Sequence, residues 1–271
     1  MTATASPGAV AVVGAGNMGG CLLNGLLAAG ISASRLSAID LRQELLAPLA
    51  EMGVATSTDL AGVTSAEVVV VALKPQVAPA VLPALATHLN AAQIVVSLMA
   101  GTPTTTLETH LAPGQPVVRV MPQTLVQLGV GATAVCAGST ADAEALLVVR
   151  ALFDLVGITV EVSEAQMDAV TGLSGSGPAY IYTVIEALVD GGVRAGLTRE
   201  VALQLAAQTV AGAGRMVVET GMHPAELRDQ VTSPAGTTIA GLTQLEEGGV
   251  RHAFIAAVDA ATRRSRELGK S

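Results

Sequence analysis

The chain has 271 residues and a formal net charge of −8, with 51% apolar and 13% charged residues. Such length and apolarity allow a full hydrophobic core, which excludes disorder and the small scaffolds stapled by disulfides or zinc. With no Trp, two Tyr and two Phe, the acidic chain lacks the basic stripe and stacking rings of a nucleic-acid binder, and no such partner is expected.

The longest uncharged stretch, between Lys74 and Glu108, is broken by Pro75, Pro79, Pro83, His88, Asn90 and Pro103. No run approaches the roughly 20 apolar residues of a membrane span, so no membrane partner is expected. No charge precedes Arg35 and the apolar segment Ala9 to Val13 is short, so no secretory signal and a cytoplasmic address are expected. Cys21 and Cys136 lack CxxC spacing, and His88, His110, His223 and His252 are scattered. Both cysteines read as packing residues, and no metal is expected.

Up to residue 163, short β-branched runs alternate with helical segments. Val10 to Val13, Leu36 to Ile39, Val68 to Leu73, Ile94 to Leu98, Val117 to Met121 and Ile158 to Val162 read as strands. Asn17 to Ala29 and Arg42 to Met52 read as helices, each closed by a glycine, Gly30 and Gly53. This alternation predicts an α/β fold, a parallel Rossmann-type sheet forming a dinucleotide-binding domain over 1–163. From 164 to 271 the strand signals vanish. Pro178 to Ala195, Arg199 to Glu219, Pro224 to Val231, Thr238 to Glu247 and Arg251 to Leu268 have helical apolar spacing. The second and fourth of these helices are apolar over much of their circumference, as at Val201, Leu203, Leu205, Ala206, Ala207 and Val210. They need cover from another subunit, so this all-helical half is expected to form a homodimer.

The first strand runs directly into Gly14-Ala15-Gly16-Asn17-Met18-Gly19 and a helix. GxGxxG in that context provides a tight turn, close backbone approach and a helix N-terminus for a pyrophosphate. Asp40 ends the second strand about 20 residues on, where a carboxylate accepts from the adenosine ribose. Arg42 is either a partner for a ribose 2′-phosphate or a solvated helix start, so NADPH and NADH both remain open. Ala72, Lys74 and Pro75 follow a strand at the same carboxyl edge, where Lys74 reaches a phosphate or ribose, or is simply exposed. Met121-Pro122 ends a later strand there, where its backbone lines the nicotinamide pocket, or it only packs.

Two glycine-rich segments mark the helical half. Ser174 to Tyr180 (SGSGPAY) leads into a helix with small residues and free amides at its start. Val231 to Thr238 opens another helix with amides and hydroxyls, a nest for a carboxylate or ordinary capping. Ketone or alcohol chemistry calls for a positioned Lys or His. The only lysines are Lys74 and Lys270, and His223 and His252 have no clear orienting neighbour. A protonated cyclic imine is already electrophilic, and amides with Ser233, Thr237 and Thr238 meet its smaller demand.

GAGNMG at Gly14, LKPQ at Leu73, VVRVMP ending at Pro122, SGSGPAY at Ser174 and HPAELRDQVTSPAGTT ending at Thr238 together resemble the pyrroline-5-carboxylate reductase family over nearly the whole chain. The resemblance implies NAD(P)H-dependent reduction of a small-molecule substrate, pyrroline-5-carboxylate, to L-proline. It also implies a helical domain interleaved with its twin. Gly14, Gly16, Asn17, Met18, Gly19, Asp40, Arg42, Ala72, Lys74, Pro75 and Met121 would bind the cofactor. Ser233, Gly236, Thr237 and Thr238 would bind substrate, its carboxylate on the amides of Gly236 and Thr237 and its ring nitrogen at the catalytic Thr238 hydroxyl. Met99, Gln123, Leu125 and Ala235 depart from the family pattern, where Ala, Asn, Pro and Gly are usual; the first three fall near the expected nicotinamide pocket. The rivals are a related imine or β-hydroxyacid reductase and a catalytically idle nucleotide binder.

Overall fold

The structure is a computed structural model that describes residues 8–269; Lys270 lies outside that range. Eight strands form one sheet: β1 (Val10–Val13), β2 (Leu36–Ile39), β3 (Ala55–Ser57), β4 (Val68–Val71), β5 (Ile94–Ser97), β6 (Val117–Met121), β7 (Gly131–Ala137) and β8 (Gly157–Glu161). Their order is β3-β2-β1-β4-β5-β6-β7-β8. Every neighbouring pair is parallel except β6 and β7. The crossovers carry helices α1 (Asn17–Ala28), α2 (Gln43–Glu51), α3 (Ala78–Ala86), α4 (Thr104–Glu108) and α5 (Ala143–Asp154).

A parallel sheet with both faces covered needs continuous apolar strands rather than alternating ones. The four valines of β4 are fully buried and feed two cores. Val68 and Val70 pack on the side of α1 and α5, while Val69 and Val71 pack on the side of α3 and α4. The chain order reverses between β1 and β4, and ligands bind outside the carboxyl ends of strands at such a point.

The expected bounds hold for β1, β2 and β6, whereas β4 stops at Val71, β5 stops at Ser97 and β8 starts at Gly157. Beyond Val71 the Ala72 amide still bonds to Val13, and the chain then turns, the Val77 amide bonding to the Lys74 carbonyl. Strands β3 and β7 and helices α3 to α5 carry no clear signal in the sequence. β3 is three residues long and mostly exposed, β7 is rich in small residues, and α3 holds an internal Pro83.

One compact unit runs to Ser176 and resumes at Asp259; the other is Gly177–Val258. The sequence division at 163/164 assigns residues 164–176 and 259 onward to the helical half, while in space they join the sheet unit. Glu164 accepts from the Thr104 amide at 2.7 Å and hydroxyl at 2.9 Å, and pairs with the buried Arg119 at 3.4 Å. Asp168 accepts from the Ser265 hydroxyl at 2.6 Å. The SGSGPAY segment corrects an expectation. Its first residues are no free-amide loop but end a helical run, α6 (Met167–Val170) followed by a π turn over Thr171–Gly175, and the expected long helix then opens at Gly177 with Pro178 in its first turn. The Ser176 amide is used on the Thr171 carbonyl at 2.9 Å.

The second unit holds α7 (Gly177–Arg194), α8 (Arg199–Thr220), α9 (Pro224–Gln230), α10 (Thr237–Glu247) and the first part of α11 (Val250–Leu268). Its buried apolar core is small: Val189, Ala202 and Ala206, flanked by Ile185 and Val193. α8 corrects the expectation that no segment reaches the length and apolarity of a membrane span. It passes by length and composition alone, at a mean hydropathy of 1.2 over 18 residues.

Candidate functional site

At the carboxyl edge of β1 the chain must turn sharply to start α1. Gly14 does so at φ +99°, donating its amide to the Ile39 carbonyl at 2.7 Å. A Cβ there would meet the Ala72 carbonyl oxygen at 2.7 Å. Gly16 caps α1 with extended backbone, and a Cβ on Gly19 would fall on the Gly14 carbonyl oxygen. Helix and turn are therefore pressed together, with the first-turn amides of α1 facing outward without helical acceptors. A cleft of about 770 Å³ opens beside them.

Gly14, Gly16, Asn17 and Met18 line the cleft beside the first helix. Asp40 and Arg42 line it after β2, and Ala72, Lys74 and Pro75 after β4. Gly19 lies behind the turn, buried against β1. Met121 does not reach the cleft: it is buried with Ala134, Cys136 and Met167 on another part of the sheet. Further lining comes from Leu41, Thr58, Leu60, Val77, Val81 and Leu98. Sequence reasoning missed this group because β3 and α3 were not legible, although LKPQ placed the chain at their edge.

Asp40 has an 8% exposed side chain. Its Oδ2 accepts from the Ala15 amide at 2.9 Å, and its Oδ1 from the Arg42 amide at 3.0 Å. The Arg42 guanidinium adds bonds at 3.2 and 3.3 Å. Burial pushes the Asp40 carboxyl up, but these donors outweigh it and hold its pKa below the ordinary carboxylate value. Arg42 is therefore not merely a solvated helix start. It is the N-cap of α2 with its guanidinium turned back to Asp40, and a Cβ on Gly16 would stand 3.6 Å from Nη2.

These residues fit a dinucleotide. Cβ-intolerant glycines bring the backbone close, a helix N-terminus faces the cleft, and Lys74 and Arg42 are the two cations lining it. Three of the departures noted above do not reshape the cleft. Met99 is buried among apolar residues of the α3 and α4 side while its neighbours Leu98 and Ala100 line the cleft. Gln123 turns its carbonyl onto the Leu125 amide at 3.0 Å, capping the short turn over Thr124–Leu128, and neither Gln123 nor Leu125 lines the cleft.

In the second unit, Thr232 to Gly236 form a tight approach to α10. Here the structure alters the expected nest: the Gly236 amide bonds to the Ser233 carbonyl at 3.1 Å. The amides at the helix start, from Thr237 on, remain directed outward. Thr232 and Thr243 bond through their hydroxyls to carbonyls four residues back. Thr238, at the second helical position, has no preceding helical turn to bond to. Ser233 is exposed and Thr238 half-buried. Ala235 is the one non-glycine at positive φ among the described residues, at +55°. Ala235→Gly should therefore stabilise the loop by about 1 kcal/mol, since a left-handed Cβ costs roughly 1–2 kcal/mol. Chemical denaturation checks this, and an unchanged or lower midpoint would contradict the strain.

Residues 164–268 match the family model for pyrroline-5-carboxylate reductase dimerisation, and residues 9–101 match NADP oxidoreductase, coenzyme F420-dependent. A pyrroline-5-carboxylate reductase of Methanosarcina acetivorans is 46% identical over 264 residues, 96% of this chain and 98% of that one. The chain belongs to the pyrroline-5-carboxylate reductase family. The Arabidopsis thaliana enzyme is 43% identical over 97% of this chain and 96% of its own. A solved reductase from Coxiella burnetii superposes with a TM-score of 0.89 at 36% identity, covering 98% of this chain and all of that one. The Plasmodium falciparum pyrroline carboxylate reductase, solved with NADP bound, gives 0.87 at 29% identity over 96% and 98%.

Proposed function

We propose that this protein reduces the cyclic imine of pyrroline-5-carboxylate to L-proline with NADH or NADPH. It would act as a cytoplasmic homodimer, with residues 1–163 binding dinucleotide and residues 164–271 binding substrate and pairing. The observation that carries the reading is the glycine turn and cleft at the β1/β4 switch point, in a chain 46% identical to a reductase matched nearly end to end. The nicotinamide, when bound, supplies the hydride.

The protein's own residues bind and orient. The first-turn amides of α1 hold the pyrophosphate and Lys74 adds a cation at the rim. The substrate carboxylate sits on the outward amides at the start of α10, with Ser233 and Thr237 beside it and the N-terminal dipole favouring the anion. The Thr238 hydroxyl meets the ring nitrogen and keeps the imine oriented while carbon takes the hydride. No strong acid is required of the enzyme. His223 supports that reading, because its Nδ1 caps α9 by accepting from the Ala225 amide at 3.2 Å, so it is engaged in structure.

Following NAD(P)H oxidation with pyrroline-5-carboxylate, other cyclic imines and 2-keto acids tests the reading. Turnover on keto acids alone would overturn imine chemistry, and nucleotide binding without turnover on any of them would leave an idle binder. Thr238→Ala should lower kcat tenfold to a hundredfold, the loss of one hydrogen bond worth about 1–3 kcal/mol. An unchanged rate removes Thr238 from the mechanism.

A further inference from the structure

We infer that the Asp40–Arg42 pair makes this chain select the unphosphorylated adenosine ribose, so that it binds NADH more tightly than NADPH. The inference rests on the dinucleotide reading above and refines it. Asp40 takes two backbone amides, from Ala15 and Arg42, which tie the end of β2 to the glycine turn. Those two bonds fix the carboxylate at the wall of the cleft, in its ionised form.

The remaining bonds come from the Arg42 guanidinium, whose side chain is 59% exposed and whose contacts are the longer ones, at 3.2 and 3.3 Å. They are the contacts a ligand can replace. A ribose hydroxyl is a donor and can take over such a bond to Asp40. A 2′-phosphate carries about −1.5 to −2 charges at neutral pH and offers only acceptors to an ionised carboxylate. To be accepted, it must draw Arg42 off Asp40 and leave two anions side by side.

No second cation relieves that repulsion. The other cation lining the cleft is Lys74, on the loop after β4. β1 lies between β2 and β4, which puts those strands roughly 10 Å apart. Thr58 offers a hydroxyl but no charge. The local pair is therefore neutral before binding and suited to a neutral ribose.

The test uses the purified full-length protein and isothermal titration with ADP-ribose and its 2′-phosphorylated form, so that binding is read without turnover. NADH and NADPH are titrated in parallel by nicotinamide fluorescence. Wild type should bind ADP-ribose at least tenfold more tightly than the 2′-phosphate. Arg42→Ala should keep or widen that gap, while Asp40→Ser should narrow or reverse it by freeing Arg42. Should Asp40→Ser melt early, Asp40→Asn replaces it, and the wild-type ratio stands independently of both. Equal or tighter binding of the 2′-phosphate by wild type overturns the selection while leaving the dinucleotide reading intact. Failure of both fragments to bind overturns the two together.

Discussion

Gly19→Ala is expected to destabilise the sheet unit by about 2 kcal/mol and to weaken ADP-ribose binding at least tenfold. The added Cβ would fall on the Gly14 carbonyl oxygen and reach Val12 Cγ1 at 3.0 Å. Backbone oxygen cannot rotate away as a flexible side chain can, so α1 must lift off β1. Lifting it costs close packing on a core in which Leu22, Leu23 and Leu26 of α1 are fully buried, and overpacking of that kind costs roughly 1–3 kcal/mol. Better helix propensity of Ala returns at most about 1 kcal/mol. For a chain of this size, each kcal/mol moves Tm by about 2–4 °C, which predicts a fall of about 4–8 °C. Binding suffers separately, because the amides that hold the pyrophosphate move with the helix, and each hydrogen bond to a charged group lost is worth about 1.5–3 kcal/mol, roughly tenfold to a hundredfold. Gly20→Ala is the control: its Cβ would stand 3.5 Å from the Ala15 carbonyl oxygen, an ordinary contact. It should melt at or slightly above wild type. Thermal melts and titration of both variants decide the matter, and a Gly19→Ala protein indistinguishable from Gly20→Ala would mean that α1 is not seated as described.

What the sequence reveals about this site follows how local each determinant is. The turn from Val13 to Gly19 is legible because strand, glycines and helix lie within ten residues, and Gly14 and Gly19 each have a steric reason within that span or directly against it. Asp40 is legible from spacing alone, but its engagement with Ala15 and Arg42 is not, since it depends on where a rotatable guanidinium settles. Met121 and Met99 show the limit of reading strand ends. Side chains alternate across a strand, so neighbours at one edge face opposite ways. Met99 goes to the core while Leu98 and Ala100 face the cleft. Met121 pairs with Ala134 of the antiparallel β7, a strand the sequence did not disclose, and is covered by Met167. Ser174 to Gly177 reads as a loop because Gly and Ser are poor helix formers. The π turn that absorbs it needs i to i+5 bonds set by packing, not by propensity. Ala235 was visible as an odd residue in the motif, but its positive φ belongs to the folded turn.

Leu205→Glu should convert the protein to a monomer and cost the second unit its fold. In a single chain, α8 buries only Ala202 and Ala206 against α7, while Val201, Leu203 and Leu205 are 42%, 51% and 57% exposed. A core of so few small side chains cannot offset the ordering entropy of some 80 residues, at roughly 1–2 kcal/mol each for the backbone. The proposed homodimer would supply the missing apolar burial, and each Val or Leu fully covered there would contribute about 1.5–3 kcal/mol. Glu at position 205 removes one such contribution and places an unpaired charge in an apolar interface, a loss of several kcal/mol. A two-fold interface suffers the substitution twice, once from each subunit. At about 1.4 kcal/mol per decade, the dimer dissociation constant should rise at least a thousandfold. Leu147→Glu is the matched control, also an exposed leucine at 60%, but on α5 of the sheet unit. Sedimentation should find Leu147→Glu dimeric and Leu205→Glu monomeric, with a concentration-dependent Tm in wild type and a loss of helical circular dichroism only in Leu205→Glu. If Leu205→Glu sediments as a dimer with wild-type helicity, the apolar face of α8 is not what holds the subunits together.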